Sequence, residues 1–299
     1  MIKILNRSFM KKICSIISCV ALALFSCYGT ETIGDSVVVK PVRPVMSSFM
    51  VDVGGASVLD TYLSPVRYEG VNMRLGYERM KAMKFNPEKW VKQLEVGVDY
   101  VPSENPAQTR IIHTLMLDAK WGMMHRWRDV AVSRLQLFAG GSTQLRGGAL
   151  YAPANSNNVV SVKLGWDLAF SGMAVYNCKI GRMPVTFCYQ ATLPLVGVLY
   201  SLDYGENYYE MYVGNYAGLV HFGWPGNHFS MTNLVTADMH FGNTTLRVGY
   251  RGVTETSWVN NLNTQIFRHS FVLGIGGEWI GIKSGADLSE KARIISAIY

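Results

Sequence analysis

From Phe229 to Trp279, apolar and polar residues alternate almost without error through three consecutive segments. The first sets Phe229, Met231, Val235, Ala237, Met239 and Phe241 against Ser230, Thr232, Thr236, Asp238 and His240. After Gly242-Asn243 the apolar column moves to Leu246, Val248, Tyr250 and Trp258, opposite Arg247, Gly249, Arg251 and Glu255. A third column runs Phe267, His269, Phe271, Leu273, Ile275 and Trp279. Successive residues of a strand point to opposite faces, so a sustained period of two means strands with one apolar and one polar face. The helical period of about 3.6 fits none of these segments. Strands of soluble proteins usually run about 5 to 6 residues, whereas a tilted strand crossing a bilayer needs roughly 9 to 11. These segments are of the longer kind. The pattern predicts an all-β fold, an antiparallel transmembrane β-barrel, with a soluble sandwich or lipocalin-like barrel as the competing reading.

The same alternation recurs upstream. Phe49, Val51 and Val53 oppose Met50 and Asp52 in 48–56, where a phase slip at Gly54-Gly55 predicts a bulge. Further strands are predicted over 71–80, 93–100, 111–127, 135–139, 160–176 and 185–191, with a short one over 216–222. Loops are expected from Leu63-Ser64-Pro65, over 102–109, over the Gly- and Asn-rich 140–158, and over 195–215. The last of these is Tyr-rich and acidic, and reads as an exposed extracellular loop or as a loop folded into the lumen. Short turns fall around Asn86, Arg128, Gly181, Pro225 and Asn260. Long loops on one side and short turns on the other are the habit of outer-membrane barrels, and Gly242-Asn243 is a tight turn where a long loop is expected. About eleven strands are reached by Trp279. Since single-chain barrels have an even number, 292–299, which ends on the aromatic Tyr299, is the candidate for the last. The expected total is about twelve strands, with ten as the alternative.

The beginning of the chain assigns a compartment. Lys3, Arg7, Lys11 and Lys12 precede an apolar run over 13–26, the form of a secretory signal too short to span a bilayer as a helix. The expected organisation is a signal peptide over 1–29, a periplasmic lead-in over 30–47 and an outer-membrane barrel over 48–299. Leu24-Phe25-Ser26-Cys27 also reads as a loose lipoprotein box, with ordinary cleavage near Gly29 as the alternative. Removing the four signal bases from 28 Lys and Arg leaves 24 against 21 acids, so the basic balance is largely a property of the signal and nucleic acid is not an expected partner. Sixteen Tyr, seven Trp and twelve Phe suit aromatic girdles at two membrane interfaces. Cys178 and Cys188 flank a turn, but the alternation puts them on opposite faces, which favours two small apolar side chains over a disulfide.

The polar face carries both signs. Its candidate lumen-lining residues are Arg74, Glu78, Glu95, Asp99, Asp118, Lys120, Lys163, Asp167, Asp238, Arg247, Arg251, Glu255, Arg268 and Glu278, with Arg134 on the same face. A mixed population without a single-sign cluster reads as charges that pair across a wet lumen, ahead of a pore lining or ligand site. No phosphate loop, paired-Cys metal spacing or Gly-x-Ser-x-Gly occurs, and no cofactor is expected. His228-Phe229-Ser230 has the His-x-Ser spacing of outer-membrane lipid hydrolases. It lacks the glycine common after that motif and falls, on this topology, near the periplasmic end.

Ser57-Val58-Leu59-Asp60-Thr61-Tyr62-Leu63-Ser64-Pro65, with Arg251-Gly252 and Ser257-Trp258-Val259-Asn260-Asn261, resembles an outer-membrane barrel family of Bacteroidetes that has a domain of unknown function. The resemblance implies the barrel and its location, and no activity or functional residues. The function expected is a narrow channel or surface-binding scaffold in contact with outer-membrane lipid, with a small solute as partner. A lipid hydrolase using His228 and Ser230, and a soluble periplasmic ligand-binding barrel, are the alternatives.

Overall fold

The computed structural model describes residues 41–130, 132–156, 158–203, 214, 218–280 and 293–298. The signal region and most of the lead-in lie outside them, as does the Tyr-rich stretch 204–213. The strands are β1 (Val45–Asp60), β2 (Ser64–Ala82), β3 (Trp90–Glu104), β4 (Ile111–Arg128), β5 (Leu135–Tyr151), β6 (Val160–Ile180), β7 (Met183–Tyr200), β8 (Val220–Gly223), β9 (His228–Phe241), β10 (Thr244–Val259) and β11 (Leu262–Trp279). Each pairs antiparallel with its neighbours, and β1 closes against β11, so the sheet returns on itself as a barrel of ten strand positions. Closure removes the unpaired edges that a long alternating sheet would otherwise expose.

Ten rather than twelve follows from two departures. β8 and β9 both pair with β7 and run in the same direction, so they share one position in the ring. Between them Trp224-Pro225-Gly226-Asn227 folds into a kink, with Asn227 N and His228 N both donating to Trp224 O. Residues 193–196 of β7 consequently have no partner on β8 or β9; Leu193, Pro194 and Val196 pair with β6 alone, and Leu195 is passed over where the β6–β7 register shifts at Leu168/Ala169. The second departure is the expected last strand. The described part of that segment, 293–298, makes one isolated parallel bridge between Val42 and Ile294 and otherwise folds into the mouth of the barrel.

The kink also reassigns the ends. β1 begins and β11 finishes at one end, together with the turns 83–89, 181–182 and 242–243 and the described residues 129–130 and 132–134. The distal end carries 61–63, 105–110 and 260–261, with the described residues 152–156, 158–159, 201–203 and 218–219. Gly242-Asn243 therefore belongs among the short turns, and Gly242 meets its tight geometry with a φ of +62°. Pro225, Asn260 and His228 move to the distal end.

Other boundaries shift because glycine and proline obscure a strand. Gly140–Tyr151 is strand, not loop: a Cβ on Gly140 would lie 2.0 Å from Met123 O and one on Gly148 2.2 Å from Leu115 O, so bare backbone is what lets these strands approach. Ser64-Pro65 opens β2, and Pro102 lies within β3. No bulge forms at Gly54-Gly55, where the register with β2 and β11 is continuous. The apparent phase slip has another cause: Ala56 and Val58 are apolar residues that point inward.

They do so because the interior is layered. At the distal end Ala56, Val58, Tyr62, Tyr68, Val101, Ile112, Leu150 and Leu262 form an apolar cluster inside the barrel. At the terminal end Met46, Met80, Val91, Met124, Phe138, Met173 and Val175 form another, together with Ala297 and Ile298. Charged side chains fill the middle. The outward columns form a continuous apolar surface, with Phe49, Leu75, Leu117, Phe170, Tyr189, Val235, Phe271 and Ile275 all exposed. Cys178 and Cys188 are free and face opposite sides.

Candidate functional site

Alternation sends Asp52, Arg74, Glu95, Asp99, Arg251 and Arg268 inward at similar heights on five strands, where they meet. Arg74 pairs with Asp99 at 2.5 Å and with Asp118, and stands 3.7 Å from Glu95 and 3.9 Å from Asp52. Arg251 bridges Asp52 and Glu95, both at 2.7 Å, and Lys120 reaches the other oxygen of Glu95 at 2.6 Å. From Asp99 the network continues through Arg268 (3.0 Å) to Glu255 (2.6 Å), then to Arg146 (3.3 Å) and Asp167 (2.7 Å). A second unit sits nearer the terminal end, with Arg247 between Glu78 (2.5 Å) and Asp238 (2.8 Å). There Glu78 also accepts from Gln93, which is bonded to Gln190.

The polar face expected to be wet is largely dry. Asp52 is 0% exposed, Asp99 2%, Glu95 4%, Arg251 5% and Arg74 6%. The space left among these groups is about 50 Å³, which holds only a few waters at about 10 to 15 Å³ each. Buried charges at this density are tolerable only when each is paired, and here the opposed strands supply the partners. Lys163 sits apart, held by Asp60 (2.9 Å) and Thr264 (2.9 Å), and Glu278 lies at the terminal mouth, where it accepts from Ser296. Arg134 also lines that mouth.

The distal half holds a second cavity of about 70 Å³, walled by Met116, Leu164, Leu199, Tyr200, Leu262 and Ile266 and edged by Arg146, Lys163 and His228. His228 and Ser230 both point into the barrel here, with Arg146 between them. Arg146 donates to Ser230 Oγ at 3.0 Å and to His228 Nε2 at 3.1 Å. A guanidinium only donates, so Nε2 must be the acceptor and the ring hydrogen sits on Nδ1, which is buried without a partner. The Nε2 lone pair is therefore directed at Arg146 and not at the serine. Asp167 Oδ1 lies 4.0 Å from Nε2.

Asp52, Asp60 and Arg146 are not among the candidate lumen-lining residues named from the sequence. Arg146 lay in the glycine-rich stretch read as a loop, although Gln144, Arg146 and Gly148 keep the inward phase of Gln136 and Phe138. Asp52 stood opposite the outward valines of its strand, and that phase alone was enough to find it. No group of three or more metal-ligating side chains occurs among the described residues.

A family model described as "Protein of unknown function (DUF3316)" matches residues 17–285. Among solved structures, the translocator domain of autotransporter NalP from Neisseria meningitidis is similar at 10% identity and a TM-score of 0.40, over 92% of this chain and 97% of that one. No curated protein matches the sequence.

Proposed function

The chain belongs to the DUF3316 family, and from that premise, which brings no activity with it, we propose that it is an outer-membrane barrel with a closed lumen. It serves as a binding scaffold and not as a diffusion channel. The burial of its charged layer carries this reading. Side chains that line a water-filled pore are accessible, whereas Asp52, Asp99 and Glu95 are almost fully enclosed, with apolar clusters above and below them. A pore would need that layer taken apart.

The outward apolar surface supports a bilayer as the medium, since contiguous exposed apolar area on this scale is foreign to a soluble monomer. The signal-like start of the chain and the Bacteroidetes resemblance support the outer membrane. Outer-membrane lipid is the partner of that surface. Cell fractionation discriminates the soluble alternative, because a periplasmic ligand-binding barrel would appear in the periplasmic extract.

Planar bilayer recording tests closure. Purified chain inserted into a lipid bilayer is expected to give no sustained conductance steps, and a steady open level at low voltage would contradict the proposal.

The hydrolase reading gains position, since His228 and Ser230 are at the distal end where an outer-leaflet enzyme would work. It loses geometry, because Arg146 occupies the place of the catalytic hydrogen bond. Wild type and Ser230→Ala are expected to show the same background hydrolysis of phospholipid in mixed micelles. Turnover that the substitution abolishes would restore the enzyme.

A further inference from the structure

The barrel is complete without residues 293–298: ten strand positions close through β1–β11 and β6–β7, and this segment adds no ladder to them. It nevertheless sits deep in the terminal mouth, with Ala297 0% and Ile298 3% exposed. We propose that this mouth is a binding site for an extended peptide, read through its main chain, and that the chain's own 293–298 segment is an exchangeable occupant.

Three features carry the assignment. All four side-chain hydrogen bonds of Arg126 end on main-chain carbonyls: Pro87 (3.0 Å) and Glu88 (2.9 Å) of the β2–β3 turn hold the guanidinium, and Ser296 (2.8 Å) and Ala297 (3.0 Å) of the segment accept its other donors. Gln136 donates to the next carbonyl, of Ile298, at 2.8 Å, and Val42 exchanges main-chain bonds with Arg293 and Ile295, both at 2.9 Å. Contacts to the peptide backbone are indifferent to side-chain identity, which is the economy of strand-addition recognition. The lining around the side chains is adaptable too: Met46, Met80, Met124 and Met173 come from four strands, and methionine suits surfaces that must fit more than one partner. Finally, the mouth is larger than its occupant. Beside the segment an open vestibule of about 610 Å³ is edged by Arg134, Thr186, His240, Thr245 and Glu278, and Glu278 also accepts from Ser296. The class of ligand is thus an extended segment with small and aliphatic side chains.

The test uses a chain ending at Ala292, refolded in detergent and checked for heat-modifiable migration, with a fluorescent peptide of sequence 293–299 as the probe. Saturable binding is expected, weakened about tenfold or more by Arg126→Gln, because hydrogen bonds from a charged donor are lost. The full chain is expected to bind the probe more weakly, since its own segment competes. Absence of saturable binding, or binding indifferent to Arg126→Gln, overturns the site. A second arm is independent of truncation. Ala297→Arg in the full chain places a long cation where there is no room, so carboxypeptidase should trim residues 293–298 from the folded variant at least tenfold faster than from wild type, whose segment is exposed only while it is displaced. Equal trimming rates in the two, or slower trimming of the variant, overturn the proposal. Conductance plays no part in either arm, so failure here and failure of the closed-lumen reading are distinguishable.

Discussion

Gly97 shows how single residues set the interior. A Cβ there would lie 2.1 Å from Arg74 Nη2 and 2.2 Å from its Cζ. The end of an arginine would ordinarily swing away, but this guanidinium is gripped by Asp99 and Asp118 and cannot move without unpairing them. Gly97→Ala should therefore cost about 1 to 3 kcal/mol as an overpacking change. Gly55→Ala, on the same sheet with open space around it, should be close to neutral. Urea-induced unfolding in micelles measures both, and equal midpoints would show that Arg74 is not held. The charges themselves are interdependent. Arg251→Met leaves Asp52 and Glu95 short of a partner in a dry interior and is expected to destabilise by about 3 to 5 kcal/mol, whereas an arginine in open water would cost little. The same unfolding assay decides between the two.

At the scale of elements, Val248 faces outward between Ala237 and Leu273, and its neighbour Arg247 faces Glu78 and Asp238 inside. Val248→Arg near the bilayer centre should cost about 2 to 4 kcal/mol and impair heat-modifiable folding in lipid. Retention of full folding would place that column out of the membrane. Alternation made such faces legible wherever side chains were large: β2, β4, β6, β10 and β11 follow from their columns. It failed where side chains vanish or invert. Only 135–139 of β5 is visible in the alternation, because Gly140, Gly141, Gly147 and Gly148 show no face beyond it, and with the hidden part goes Arg146, which carries the ion-pair network from Glu255 to Asp167. β8 and β9 were counted twice because Pro225-Gly226 reads as a reversal, when the chain there kinks and continues in the same direction. That kink accounts for one of the two extra strands expected, the segment 292–299 for the other, and it moves His228 to the distal end. Whether inward charges are wet or dry has no signature in a period of two, since both give the same alternation. Dryness emerges only from which strands stand opposite each other.

For the molecule as a whole, the layers act together: an apolar outer surface, paired charges across the middle, and apolar clusters toward both ends, one of them completed by residues 293–298. Spin labels placed on adjacent residues of β9 and β11, with Cys178 and Cys188 replaced, read this arrangement most directly in liposomes. Val235 and Phe271 are 47% and 54% exposed on the outer face, while their neighbours Thr236 and Ser270 are each 2% exposed inside. Labels at 235 and 271 should collide with dissolved oxygen and not with a water-soluble nickel chelate, and labels at 236 and 270 should be shielded from both. Free collision of the inner labels with nickel would mean a water-filled lumen, and nickel access at the outer positions would mean that the apolar face does not lie in lipid; either result contradicts a closed barrel in a membrane.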